Sequence, residues 1–294
     1  MPVRLPISLQ NLIPLSFVLL WSTGFIGAKY GLPYAEPMTF LWLRMALVLL
    51  VLTALVIVVK APWPGSGRAM LHLAVSGLLV HGGYLGGVFV AIDRGLPSGL
   101  TALVVGLQPI ATAFCAALVL QERVGSRQWG GLLLGLIGVV LVLGGKLGQD
   151  AQDASTLWFW LWPAVLALAS ITAGTLYQKR FVPVFDLRTG AILQFLPCLL
   201  LFGMFALLTE TRQVAWTGDF IFALLWLTLV LSIGAIALLN HLLRQGSAVQ
   251  VASLFYLTPL ATALIAWLLF DERLAPLAVF GMGVTVAGVW LARR

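Results

Sequence analysis

Arg44 is the residue in this sequence that is hardest to place. It stands seven positions into the uncharged run that begins at Pro37. At 1.5 Å per residue that is roughly 10 Å below the start of the run. A guanidinium there offers paired donors suited to a carboxylate. Two readings stand for it: an interior cavity that meets a ligand, or a side chain that snorkels to the run's edge or ties off helix-end carbonyls. The stretch "LLVHGGYLGGVF", residues 78–89, poses a second question. It holds His81 and Tyr84 three positions apart, on one helical face, and four glycines at 82, 83, 86 and 87. Glycine costs about 1 kcal/mol against alanine inside a helix. The glycines therefore imply a close neighbour on their side, with small-xxx-small spacing, while His81 and Tyr84 face the remaining space or a packed bundle. Trp21, beside Ser22 and Thr23, and Tyr256 offer aromatic faces for stacking on an apolar or aromatic group. Gln108 precedes Pro109, and Thr258 precedes Pro259. Each proline frees a carbonyl and bends its helix. Asn240 and His241 end another apolar run and are gate candidates.

These residues are carried by elements that water cannot solvate. The chain has 294 residues, 61% hydrophobic and 9% charged, where a soluble domain carries roughly 25% charge. In lipid only helices or closed barrels satisfy the backbone. The apolar runs are too long for barrel strands and do not alternate, so helices are expected. Ten spans are expected, at 12–30, 37–59, 70–91, 98–120, 128–145, 157–178, 187–208, 220–243, 248–270 and 274–292. The first is read as a retained span, because no small-residue cleavage site follows it. The net charge of +7 is spread over short loops. It therefore reads as a topology signal and not as a nucleic-acid patch. Eleven of the seventeen basic residues fall on the side of the N-terminus and five on the other, Arg44 lying between. By the positive-inside rule both termini are cytoplasmic.

The chain also repeats itself at an offset of 150. Pro109 meets Pro259, "ATA" at 111–113 meets "ATA" at 261–263, and Gly131 and Gly138 meet Gly281 and Gly288. Glu122-Arg123 meets Glu272-Arg273, Arg44 meets Gln194, and, one residue further on, His81 meets Ser232. Residues 1–150 and 151–294 thus read as one five-helix unit written twice, in one membrane domain. Five is odd, so the second copy enters the membrane inverted. Inverted repeats support alternating access.

The stretches "LLWSTGFIGAKYGLPYAEPMTFLWLR", "HGGYLGGVFVAIDRGLPSGLTALVVGLQPIATAFCAALVLQERV" and "HLLRQGSAVQVASLFYLTPLATALIAWLLFDERL" resemble the drug/metabolite transporter superfamily, in its ten-helix EamA-type branch. Within that branch the chain looks most like the YddG-like amino-acid exporters. The resemblance implies a ten-helix basket, a central cavity, and export of amino acids or related metabolites across an inner membrane. It does not fix the substrate, so export of drugs or other metabolites stays open. The site expected is Trp21, Arg44, His81, Tyr84, Gln108 and Tyr256 for the substrate, with Pro109, Pro259, Asn240 and His241 bending or gating.

Several classes are disfavoured. No Asp or Glu lies deep in a span, which argues against an exporter that trades protons on a buried carboxylate. His81 and His241 are then the groups within spans able to titrate near neutrality. "GGKLGQD" lacks the spacing of a phosphate loop. Cys115 and Cys198 show no metal-ligand spacing and read as buried apolar residues. No buried cluster of catalytic type appears, so no enzymatic activity, cofactor or metal is expected. The expected partners are a small-molecule substrate and the bilayer, with no nucleic acid, and the chain is read as a monomer.

Overall fold

The computed structural model describes residues 7–96, 98–147, 154–182, 184–270 and 275–293. Backbone that must satisfy its own hydrogen bonds gives an all-helical chain. Among the described residues the only strand-like pairing is an isolated bridge between Ala35 and Val214. The rods, in order, are α1 Ile7–Gly31, α2 Pro37–Val59, α3 Gly67–Asp93, α4 98–119, α5 Ser126–Leu147, α6 Ala154–Phe181, α7 Leu187–Thr209, α8 Gly218–Gln245, α9 248–270 and α10 Pro276–Ala292. Eight of these regions are long and apolar enough to cross a membrane, among the described residues. Leu274, Glu272 and Arg273 lie outside the described residues.

Polar residues start and stop the rods. Glu210 accepts from the N–H groups of Met38 and Thr39, both at 2.7 Å, and so ties off the first turn of α2 from the end of α7. Glu36, just before α2, accepts from the N–H and hydroxyl of Thr211, both at 2.7 Å. That Thr211 hydroxyl is the chief reason the Glu36 carboxyl sits below its ordinary pKa. Asp186 caps α7 by accepting from Arg188 N–H at 2.9 Å. Ser247 and Gln250 form a reciprocal capping box at the start of α9.

Four rods depart from a regular α-helix. In α3 the turns at Leu78–Gly83 widen to π geometry, as do those at Leu227–Ala235 in α8. The first of these holds His81 and the second Ser232. Rod α4 breaks at 106–107, just before Gln108 and Pro109. Rod α9 tightens to a 3-10 turn at Leu254–Tyr256, just before Pro259.

The rods pack most heavily as α5 along α10 and α3 against α6, then α2 along α7, α1 against α8 and α3 against α7, while α4 touches both α6 and α9. Glycine makes the closest pair possible. A Cβ on Gly138 would stand 2.7 Å from the Gly281 carbonyl oxygen, and one on Gly131 would stand 2.7 Å from that of Gly288. Both distances leave no room for a side chain, so α5 and α10 touch backbone to backbone.

The two faces of α3 differ in chemistry. On one side a Cβ at Gly87 would meet the Pro163 carbonyl at 2.4 Å, and one at Gly83 would meet the Ser170 hydroxyl at 2.3 Å. The glycines thus admit α6, as their spacing predicts. They also line a crevice of about 560 Å³ between α2, α3, α6 and α7. Val80, His81, Tyr84 and Val88 point the other way, into the cavity described next.

Candidate functional site

Arg44, Trp21, His81 and Tyr84 converge on one cavity in the middle of the bundle, together with Leu231 and Ser232. Four rods contribute: α1, α2, α3 and α8. Arg44 is only 3% exposed, so snorkelling does not account for it. Its Nε donates to Ser232 Oγ at 2.9 Å, which joins the two residues that the sequence offset had set against Gln194 and His81. The His81 ring stacks on Phe195 at 4.3 Å between centroids. Its buried Nε2 has no hydrogen-bond partner among the described residues. Tyr84 and Trp21 stack with centroids 6.0 Å apart and planes at 18°. Phe17 and Phe255 meet the Trp21 ring from its other sides at 5.3 and 5.1 Å. The result is a cation and an imidazole facing an aromatic wall.

The cavity is small. Its volume is about 40 Å³, room for on the order of three waters and too little for an amino acid. Side chains pack beyond the cavity on two sides, with different chemistry on each. Towards the 32–36 end, Phe89 meets Phe40 at 5.5 Å, and Phe40 meets Phe220 edge-on at 5.5 Å. Towards the 60–66 end the packing is polar. Gln178 Nε2 donates to Asn240 Oδ1 at 2.6 Å, and Gln194 Nε2 donates to Gln178 Oε1 and Ser76 Oγ, each at 3.0 Å. Lys179 Nζ adds bonds to the carbonyls of Leu243 and Gly246. This network ties α3, α6, α7 and α8 together.

The expected site residues therefore divide. Trp21, Arg44, His81 and Tyr84 share the cavity. Asn240 belongs to this polar network, while His241 is half-buried and its Nε2 has no hydrogen-bond partner among the described residues. Gln108 and Tyr256 are fully buried but do not border the cavity. Tyr256 packs in a second core cluster, its ring against Gly135 of α5. Neither amide atom of Gln108 has a hydrogen-bond partner among the described residues. Pro109 stands in the first turn of the helix that resumes after the break in α4, and Pro259 in the first turn after the 3-10 turn in α9. Sequence reasoning did not single out Gln178 or Ser76. The available signal was an amide in an otherwise apolar run, at Gln178 as at Gln194.

A multi-pass helical membrane protein with a cation and an imidazole buried at a central, largely apolar cavity is built like a small-molecule carrier, and the comparisons place it more narrowly. The chain belongs to the EamA-like transporter family, whose description matches it twice, over residues 11–144 and 158–294. It is 26% identical over 294 residues to a probable amino-acid metabolite efflux pump of Escherichia coli, covering 96% of this chain and 94% of that one. It is 26% identical over 292 residues to an S-adenosylmethionine/S-adenosylhomocysteine transporter of Chlamydia muridarum, covering 92% and 86%. A chloroplastic WAT1-related protein of Arabidopsis thaliana is 24% identical over 277 residues, and the chain spans 66% of its length. One crystal structure, 22% identical, superposes with a TM-score of 0.77 over 97% of this chain and 96% of the other. That likeness concerns the fold.

Proposed function

We propose that this protein exports amino acids, neutral ones and aromatic ones among them, across an inner membrane by alternating access. The carrying observation is the central cavity itself. A cation, an imidazole and an aromatic wall meet between rods of both halves, and the packing beyond them on two sides is read as two closures. A carrier needs two closures that open in turn, and a permanent pore needs none. The reading takes ten spans, both termini in the cytoplasm, and residues 1–150 and 151–294 as inverted repeats in a monomer. The pairing of rods supports the repeat. Exchanging each rod for its counterpart five places on turns α1–α8 into α6–α3, and leaves α2–α7, α4–α9 and α5–α10 unchanged. The two π segments, at counterpart places, support it as well. A pseudo-two-fold axis in the membrane plane has this property.

The amino-acid reading draws on the Escherichia coli relative's name. The Chlamydia muridarum relative's name favours a second reading, export of another metabolite. Proteoliposome flux decides between them. Labelled tryptophan, phenylalanine, threonine and methionine are loaded and followed with and without a pH gradient. Saturable flux is expected, lost in Trp21→Ala and in Tyr84→Ala proteins that remain folded. Flux independent of the gradient makes His81 a ligand. Dependence on it makes His81 or His241 the coupling group. No amino-acid flux from folded protein selects the metabolite reading.

A further inference from the structure

The cavity is electrically one-sided. A guanidinium stays protonated in proteins, and Arg44 lies buried in α2. Among the described residues no carboxylate borders the cavity. The hydrogen bond from Nε to Ser232 occupies one of five N–H donors and brings no charge. The fork that remains is the geometry that grips a carboxylate in two parallel bonds. His81 Nε2, buried and unpartnered, borders the same space. Trp21, Tyr84, Leu85 and Val88 make the rest of the wall aromatic or aliphatic.

An incoming carboxylate would supply the missing counter-charge. An incoming ammonium would add a second cation where no acid answers it. In a medium where buried charge must be paired, the first event is favourable and the second is not. We propose that the site recognises a carboxylate on an aromatic or branched apolar body, and that the α-ammonium of an amino acid is dispensable. Aromatic 2-oxo acids are then ligands at least as good as the corresponding amino acids, whereas amines and carboxamides are not. This rests on the reading of the cavity as the substrate site.

The test uses purified full-length protein and four probes: phenylpyruvate, phenylalanine, phenylalaninamide and phenethylamine. A ligand that binds only the folded form raises the unfolding midpoint with the logarithm of its concentration over its Kd, so a titration of each probe ranks the affinities. The expected order is phenylpyruvate at or above phenylalanine, with the amide and the amine at least tenfold weaker. Arg44→Gln is expected to abolish the shift by phenylpyruvate, and Arg44→Lys to keep part of it. If Arg44→Gln fails to fold, Arg44→Lys carries the test through its loss of preference for acid over amide. The proposal falls if the amine or amide shifts the midpoint as much as the acid, if none of the four does, or if an Arg44 variant keeps the full preference.

Flux separates the two levels. Phenylalanine transport unaffected by phenylpyruvate overturns carboxylate recognition and leaves export standing. Arg44-dependent binding of phenylpyruvate without amino-acid flux does the reverse.

Discussion

The phenyl cluster and the amide cluster that flank the cavity hold together by opposite physics. Phe40, Phe89 and Phe220 pack through contact area, which is non-directional and dry. Gln178, Gln194 and Asn240 are joined by hydrogen bonds, which are directional and which water can replace at modest net cost. The sequence offset sharpens the contrast, since Asn240 stands 151 residues after Phe89, as Ser232 does after His81. Likewise Gln194 stands 150 after Arg44, and Gln178 stands 150 after Ala28. Positions at that offset differ in chemistry, so the two ends are not energetically alike.

Truncation should separate the ends most sharply. Phe40 is fully buried and touches both other phenyl rings. Phe40→Ala is expected to cost about 3–5 kcal/mol, as for a core phenylalanine. A fall in unfolding midpoint measures it, and an unchanged midpoint would mean that the phenyl end is not a packed closure. Asn240→Ala removes the acceptor of Gln178 and is expected to cost less, about 1–3 kcal/mol. It should instead show in access. Cys198 lies buried beside this network, its Sγ donating to the carbonyls of Gly77 and Gln194 at 3.3 Å. In a Cys115→Ser background, maleimide labelling of Cys198 should speed up by roughly tenfold, the equivalent of about 1.4 kcal/mol in the opening equilibrium. Unchanged labelling would break the claim that the amide end is a lock.

The smallest expected effect is a pH dependence at the start of α7, on the amide side. Asp186 has a carboxyl held below its ordinary value, first by the Arg188 side chain, which lies 2.6 Å away. A carboxyl depressed by folding binds its proton more readily when unfolded. The stability it adds is whole above the ordinary aspartate value of 3.8 and is lost as pH falls through the lower folded value. Asp186→Ala should therefore lower the midpoint at neutral pH and converge on the parent protein in acid. A difference that persists in acid would assign the effect to lost packing.

Much of the fold was legible because lipid leaves few options. Long uncharged runs became helices, and the glycine cluster admitted α6 at Gly83 and Gly87 and α7 at Gly82 and Gly86, while His81 and Tyr84 border the cavity. Arg44 was legible because a buried charge in a span has few places to go. The π turns were not legible: "LLVHGG" holds a histidine and a glycine pair, but "LTLVLSIGA" widens in the same way without either. Gln108 and Tyr256 looked like partners of Trp21 for a related reason. Periodicity reports which residues face inward, but this bundle has more than one interior cluster, and Tyr256 joined the one built on α5 and α10. The amide closure depends on contacts such as Gln194 to Ser76, 118 positions apart, and pattern alone does not pair residues at that distance.

The glycine seam between α5 and α10 has a consequence for ancestry and assembly. Gly131 faces Gly288, and Gly281 faces Gly138, so each helix offers its partner the same surface that it receives. Such reciprocity is the signature of an isologous interface between two identical subunits. Under the inverted-repeat reading proposed above, a half-length progenitor with this seam pairs with an oppositely inserted copy of itself, and fusion fixes one copy of each orientation. On that reading phenyl rings at one end and amides at the other follow fusion, because a mutation in a homodimer changes both ends at once.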